Sequence, residues 1–213
     1  QDRILVVTRM FERKGVQYLF DALEGMAHTY EIHIVGDGPH LPILEGYVDE
    51  KNLEVRFWGY LSNQSSEIRD LYETSRIFVF PSEAENFPIV LLEAMASGLA
   101  IITTAGTGCS EVVGDAALLV EPHDATGIRR SLEKLMASPE LVSELEEAQE
   151  QHHLHRYLRR FASHDLVVID ELGYLPISEH AADLLFQALS ERHERKSVIV
   201  NSNLPFAEWG KVF

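Results

Sequence analysis

Residues 77–111 read IFVFPSEAENFPIVLLEAMASGLAIITTAGTGCSE, and this stretch decides the fold. Ile77 to Phe80 is an unbroken apolar run, the mark of a strand buried on both faces. Pro88 stands where a first helical position would be, a helix runs on to Ser97, and Gly98 stops it. Ala100 to Thr103 is a second buried strand. Buried strand, helix and buried strand in this order predict a βαβ unit with parallel strands.

The same alternation continues in both directions. Upstream, Ile4 to Thr8 reads as a strand, and Gly15 to Met26 as a helix with Val16, Leu19, Phe20, Leu23 and Met26 on one face. Glu31 to Val35 is a strand closed by the turn cluster Gly36-Asp37-Gly38-Pro39. Val55 to Trp58 is a strand and Glu67 to Thr74 a helix. Downstream, Ala117 to Val120 is a strand, and Asp124 and Ser138 read as helix N-caps. The fold class expected is α/β, a Rossmann-like parallel sheet with helices on both faces.

Composition changes near residue 150. Residues 1–150 hold 11 Lys and Arg against 26 Asp and Glu, whereas residues 151–213 hold 7 against 8. Six of the ten histidines lie after residue 150. Residues 146–160 are polar and read as helix. Beyond them come a strand at Leu166 to Ile169, a helix at Glu179 to Ser190 with Ala182, Leu185, Phe186 and Leu189 on one stripe, and a strand at Ser197 to Val200. Two domains are therefore expected, residues 1–150 and residues 151–213. The second is a βαβ fragment whose two strands leave open edges, so it should dock on or extend the first sheet, self-associate through residues 151–213, or lack fixed order.

With a formal charge of −16, of which residues 1–150 carry nearly all, the first domain repels polyanions, and nucleic acid is not an expected partner for it. The single cysteine, Cys109, excludes an internal disulfide and fits a reducing, cytoplasmic compartment. No apolar run reaches the length of a membrane span, and no signal segment opens the chain. Gln1 leads straight into a strand, so the chain reads as a piece of something longer.

In an open parallel sheet, ligands sit beyond the carboxyl ends of the strands. Arg9 and Lys14 follow the first strand, Glu85 follows the strand at Ile77 to Phe80, Asn86-Phe87-Pro88 leads into the next helix, and Glu93 lies inside that helix. A helix N-terminus binds phosphate oxygens through its free N–H groups. Two cations strengthen that grip in an acidic domain, and a carboxylate accepts hydrogen bonds from neighbouring sugar hydroxyls. Together these residue types describe a pocket for a sugar nucleotide.

The pattern Arg9-x4-Lys14-Gly15, then Gly36-Asp37-Gly38-Pro39, then Glu85-x7-Glu93, with the wording ENFPIVLLEAMASG, resembles the C-terminal donor domain of the retaining GT-B glycosyltransferases over residues 3–150. That resemblance implies that Arg9 and Lys14 hold the donor diphosphate, Glu85 touches the donor sugar, and Glu93 touches the ribose. It puts Gly38 in the donor site, the backbone near Asn86, Phe87, Pro88 and Ile89 by the phosphates, and the loop at Gly59, Tyr60 and Leu61 by the base. Arg9, Lys14 and Glu85 then form the catalytic set, with Arg9, Lys14 and the helix end stabilising charge on the leaving diphosphate. A nucleoside-diphosphate sugar is the donor, and no metal or other cofactor is required. The family's acceptor domain is missing from this sequence, so little or no activity is expected of the chain alone.

A second constellation follows. DLVVIDELGY at residues 165–174 is a buried strand ending in Asp170 and Glu171, one suited to hold Mg²⁺ through water and the other to orient an attacking water. The text DELGYLPISEHAADLLFQALSERHERKSVIVNSNLPFAEWGKVF resembles the IstB-type ATP-binding helper proteins of transposons over residues 155–213. By that resemblance Asp170 is the Mg²⁺ ligand, Glu171 the hydrolytic acid, and Asn201 to Asn203 the polar sensor. No G-x-x-x-x-G-K-[ST] loop occurs anywhere in the chain, and Gly210-Lys211 does not supply one. These residues are vestigial on this reading, and ATP hydrolysis is not expected.

Smaller signals carry less. His152, His153 and His155 lack accompanying ligands and read as a solvated helix face rather than a metal site. Gly106-Thr107-Gly108 lacks the last glycine of a dinucleotide fingerprint, and Cys109 reads as inert. Trp58 and Trp209 read as core or partly buried aromatics. The leading expectation is a donor-binding half of a glycosyltransferase. An interaction module derived from a transposition ATPase, and a chimera without function, remain the alternatives.

Overall fold

A computed structural model describes residues 2–62, 65–148, 165–172, 186, 189–190 and 196–202. In chain order the first unit runs β1 (Arg3–Val7), α1 (Val16–Leu23), β2 (Glu31–Val35), α2 (Leu41–Glu50), β3 (Val55–Phe57), α3 (Ser66–Thr74), β4 (Ile77–Phe80) and α4 (Ile89–Ala96). It continues with β5 (Ala100–Thr104), α5 (Gly108–Val113), β6 (Ala117–Val120), α6 (Ala125–Ala137) and α7 (Pro139–Ala148). Six strands form one sheet in the order β3-β2-β1-β4-β5-β6, and all its pairs are parallel.

The period-two alternation of strand side chains splits the core into two layers. Ile4, Val6, Ile32, Ile34, Ile77, Val79 and Ile102 face α1, α2, α6 and α7, where Leu19, Phe20, Leu44, Leu132 and Val142 are buried. Leu5, Val7, Phe78, Phe80 and Ile101 face α3, α4 and α5, where Leu71, Tyr72, Leu92 and Val112 are buried. Strands covered on both faces have no polar face to show, which is why they read as continuous apolar runs.

The expected α/β class is the one observed. Two helices have no counterpart in the sequence reading. Helix α2 carries Pro42 in its first turn and Gly46 in its interior, and buries only Leu44 and Val48, so its periodic signal is faint. The six residues of α5 are too few to show a period, and it starts where Thr107 accepts a hydrogen bond from the Cys109 amide. The first helix begins later than expected. A 3₁₀ turn at Glu12–Lys14 precedes it, and Gly15 joins the two at φ 71°. A Cβ on Gly15 would stand 2.2 Å from the Pro81 carbonyl oxygen, so this glycine is what lets the start of α1 touch the end of β4. Asp124 and Ser138 act as expected, accepting from the Gly127 and Leu141 amides at 2.8 and 3.2 Å.

The second sheet is the parallel pair β7 (Leu166–Leu172) and β8 (Ser197–Ser202), in register from Leu166↔Ser197 to Ile169↔Val200, with a shift before Leu172↔Ser202. Strand β7 is longer than expected, so Asp170 and Glu171 lie within it, at the irregularity, and not beyond its end. The helix expected over Glu179 to Ser190 lies outside the described residues, apart from Phe186, Leu189 and Ser190, which are helical. Asn203, Trp209, the Gly210-Lys211 pair and the three histidines at 152, 153 and 155 also lie outside them. Among the described residues, no helix is long and apolar enough to cross a membrane.

Candidate functional site

Because every pair in the large sheet is parallel, the carboxyl ends of β1, β2, β3, β4 and β5 share one rim. Backbone contacts knit the loops there. The Thr8 amide donates to the Val35 carbonyl at 3.0 Å, the Gly36 amide to Gly59 at 2.8 Å, and the Met10 amide to Asp37 at 3.0 Å. Gly36 has φ 129°, and a Cβ there would fall 1.7 Å from the Thr8 carbonyl oxygen. Only glycine permits the turn after β2 to lie against the segment that carries Arg9.

The best-defined cluster joins three loops. Lys14 Nζ donates to Glu85 Oε1 at 2.6 Å, with the two side chains 6% and 12% exposed. Ser82 Oγ donates to the same carboxylate oxygen at 2.6 Å. Arg13 Nη1 lies 3.9 Å from it and donates to the Ala84 carbonyl at 3.3 Å. From β5, Thr103 and Thr104 donate their hydroxyls to the carbonyls of Phe80 and Ser82 at 2.8 and 2.6 Å, which fixes the path of the chain leaving β4. The Gly108 amide donates to the Glu85 carbonyl at 2.8 Å and ties that loop to the start of α5.

Beside this cluster a cavity of about 530 Å³ is lined by Arg13, Glu83, Ala84, Glu85, Asn86, Phe87, Gly106 and Thr107. Helix α4 starts next to it. Its N-cap is Pro88, which has no side chain able to cap; the Leu91 amide donates back to the Pro88 carbonyl at 3.1 Å, which leaves the Ile89 and Val90 amides as those suited to an anion. Pro88 therefore sits one position before the first helical residue, Ile89.

The other expected residues spread along the rim and behind it. Arg9 is half-buried, with its guanidinium 4.7 Å from the centre of the Phe11 ring. Gly38 closes the turn after β2, and a Cβ there would lie 2.6 Å from the Met10 carbonyl oxygen. Tyr60 is 59% exposed, while Leu61 is half-buried against the second core layer. Glu93 is 3% exposed and accepts a hydrogen bond from Tyr72 Oη at 2.9 Å. Burial and the adjacent Glu93 carboxyl push the Tyr72 phenol well above its ordinary range. Cys109 is fully buried, and burial raises its thiol pKa, which keeps it an inert thiol.

Ser82, Arg13 and Glu83 were missed by sequence reasoning, while Thr107 entered it only as part of the Gly106-Thr107-Gly108 loop, which lines the cavity through Gly106 and Thr107. The one local signal of the missed three is position: they fall in the segments that follow the carboxyl ends of β1 and β4. One further buried polar group lies midway along β2, where Trp58 Nε1 donates to His33 Nδ1 at 3.0 Å. That bond makes Nδ1 the acceptor, so Nε2 carries the proton and donates to Glu31 Oε2 at 3.3 Å. Burial holds the His33 pKa below its ordinary value.

Comparison with known proteins agrees with this fold. The chain belongs to the glycosyl transferases group 1 family over residues 1–138 and to the IstB-like ATP binding protein family over residues 100–213, the two matches overlapping from β5 into α6. It is 37% identical over 73 residues to an insertion sequence IS21 putative ATP-binding protein of Pseudomonas aeruginosa, a match covering 34% of this chain and 28% of that protein. The C-terminal domain of the glycosyl transferase group 1 protein LpcC from Francisella tularensis superposes with a TM-score of 0.61 at 27% identity, covering 69% of this chain and 81% of that one. Anabaena HepE, solved with UDP and glucose, shares the fold with a TM-score of 0.60 at 21% identity, covering 75% of this chain and 47% of that one. The chain thus spans less than half of the IS21 protein and of HepE.

Proposed function

We propose that residues 1–150 form the donor half of a glycosyltransferase, which binds a nucleoside-diphosphate sugar on the rim described above. Residues 151–213 are, on this reading, an ATPase-derived segment that hydrolyses nothing. One observation carries the proposal: buried Lys14 and Ser82 hold Glu85, which lines a cavity together with Arg13, Asn86 and Phe87 just before the start of α4. Phosphate oxygens suit the α4 amides and the Lys14 ammonium, and sugar hydroxyls suit the Glu85 carboxylate. HepE, which was solved with UDP and glucose, lends support from a protein of the same fold.

In the transfer itself, the bond from the anomeric carbon to the diphosphate oxygen breaks and leaves negative charge on that oxygen. On this reading Lys14, Arg9 and the helix end stabilise it. Lys14 Nζ also donates to Glu85 Oε1, so on this reading one ammonium group serves both the carboxylate and a donor phosphate. The acceptor oxygen attacks on the face from which the diphosphate departs, and its proton passes to the departing diphosphate oxygen. Among the described residues, the cavity walls come from the loops of one sheet only. The chain alone is therefore proposed to bind donor without transferring it.

Thermal denaturation with UDP, GDP, ADP and ATP–Mg²⁺ tests this, because a ligand at 100 times its Kd stabilises by about 2.7 kcal/mol. A nucleoside diphosphate should raise the midpoint of the wild-type protein and raise it less in Arg9→Ala. Equal affinity in Arg9→Ala, or stabilisation by ATP–Mg²⁺ alone, overturns the reading.

A further inference from the structure

The cavity wall carries a second carboxylate, Glu83, whose setting is more elaborate than a surface acid needs. Its amide donates to the Arg13 carbonyl at 2.9 Å, which fixes its backbone against the turn before α1. Glu83 Oε1 lies 3.0 Å from Nε2 of His123, close enough for the imidazole N–H to donate to it. His123 belongs to the turn between β6 and α6 and has φ 66°, a left-handed conformation that costs any residue bearing a side chain. The Tyr18 ring of α1 backs the imidazole at 5.0 Å between centroids. Three separate elements thus converge to aim one carboxylate.

Stability does not account for this arrangement. The Glu83 and His123 side chains are 28% and 56% exposed, and ion pairs that open to solvent contribute little to folding. A strained backbone beside a cavity is instead the pattern of a residue held for binding. We propose that Glu83, oriented by His123, reads a hydroxyl of the donor sugar, acting beside Glu85 as a second specificity-determining carboxylate. The inference rests on the donor-site reading above. Two carboxylates on one wall favour a neutral, hydroxyl-bearing sugar, since each accepts a hydroxyl proton and both repel an anionic one.

Calorimetric titration of the full chain tests it, with UDP against UDP-glucose and GDP against GDP-mannose. The quantity read is the ratio of the free nucleotide's Kd to that of its sugar ester. Glu83→Gln keeps the shape of the side chain and should lower this ratio by about five- to tenfold, as expected for losing a hydrogen bond to a charged group at a partly open site. The Kd of the free nucleotide should not move. His123→Gly relieves the left-handed strain, so it should lower the same ratio while leaving the thermal midpoint unchanged or higher. A purely structural histidine would lower the midpoint and leave the ratio alone. An unchanged ratio in Glu83→Gln, with free nucleotide still bound, overturns this inference and leaves the donor site standing. No binding of either nucleotide by the wild-type protein overturns both.

Discussion

Replacing Lys14 by Met removes the positive half of a pair almost closed to solvent. Lys14 Nζ and Glu85 Oε1 are 2.6 Å apart, with side-chain exposures of 6% and 12%. At an effective dielectric constant near 20, two unit charges at that separation attract by roughly 6 kcal/mol, and the cost of desolvating both offsets much of this. Breaking one side of a buried pair costs about 3–5 kcal/mol, because the remaining charge stays buried without compensation. Ser82 and Arg13 still face Glu85, so the lower end applies, about 3 kcal/mol. For a chain of this size that lowers the melting midpoint by about 6–12 °C. Circular dichroism melts of Lys14→Met, Glu85→Leu and the double variant read the coupling directly. The double variant should recover most of what either single change loses. A loss below about 2 °C in Lys14→Met, or a double variant whose losses simply add, refutes the claim that these residues form one buried pair.

Three further perturbations probe other parts of the molecule. Tyr72→Phe deletes a donor to the buried Glu93 and should cost about 1–3 kcal/mol in urea denaturation; a change below about 0.5 kcal/mol would show the bond to be idle. Gly36→Ala sets a Cβ 1.7 Å from the Thr8 carbonyl at φ 129°, and should cost on the order of 3 kcal/mol or more in the same assay. His33 has its folded pKa below the ordinary 6.5, so the unfolded chain takes up a proton that the folded chain refuses. Stability should therefore fall as pH drops below about 6.5 and be indifferent to this group above it, and His33→Gln should flatten that part of the melting curve against pH.

The central strands were legible because they are buried on both faces, and unbroken apolar runs such as IFVF at 77–80 have no other economical reading. Helix α2 was hidden by its own proline and glycine, and α5 by its brevity. At the site, parallel topology put Lys14 and Glu85 on one rim before any coordinates, since both follow carboxyl ends of strands. Their direct contact was not legible, because it joins residues 71 apart through loop paths that no local pattern encodes. His123 was invisible for a related reason. Its relevance lies in a left-handed backbone and in neighbours from α1 and the β4 loop, none of which leaves a mark on the string of letters.

The one-sided layout of the sheet has a practical use. The connection from α1 to β2 runs over residues 24–30 at the rim opposite the cavity, and Ala27 there is exposed. The native thiol, Cys109, is fully buried. A cysteine introduced by Ala27→Cys would thus be the sole reactive handle, and a dye or surface linker attached there would leave the opposite face open to ligands for immobilised or single-molecule titrations.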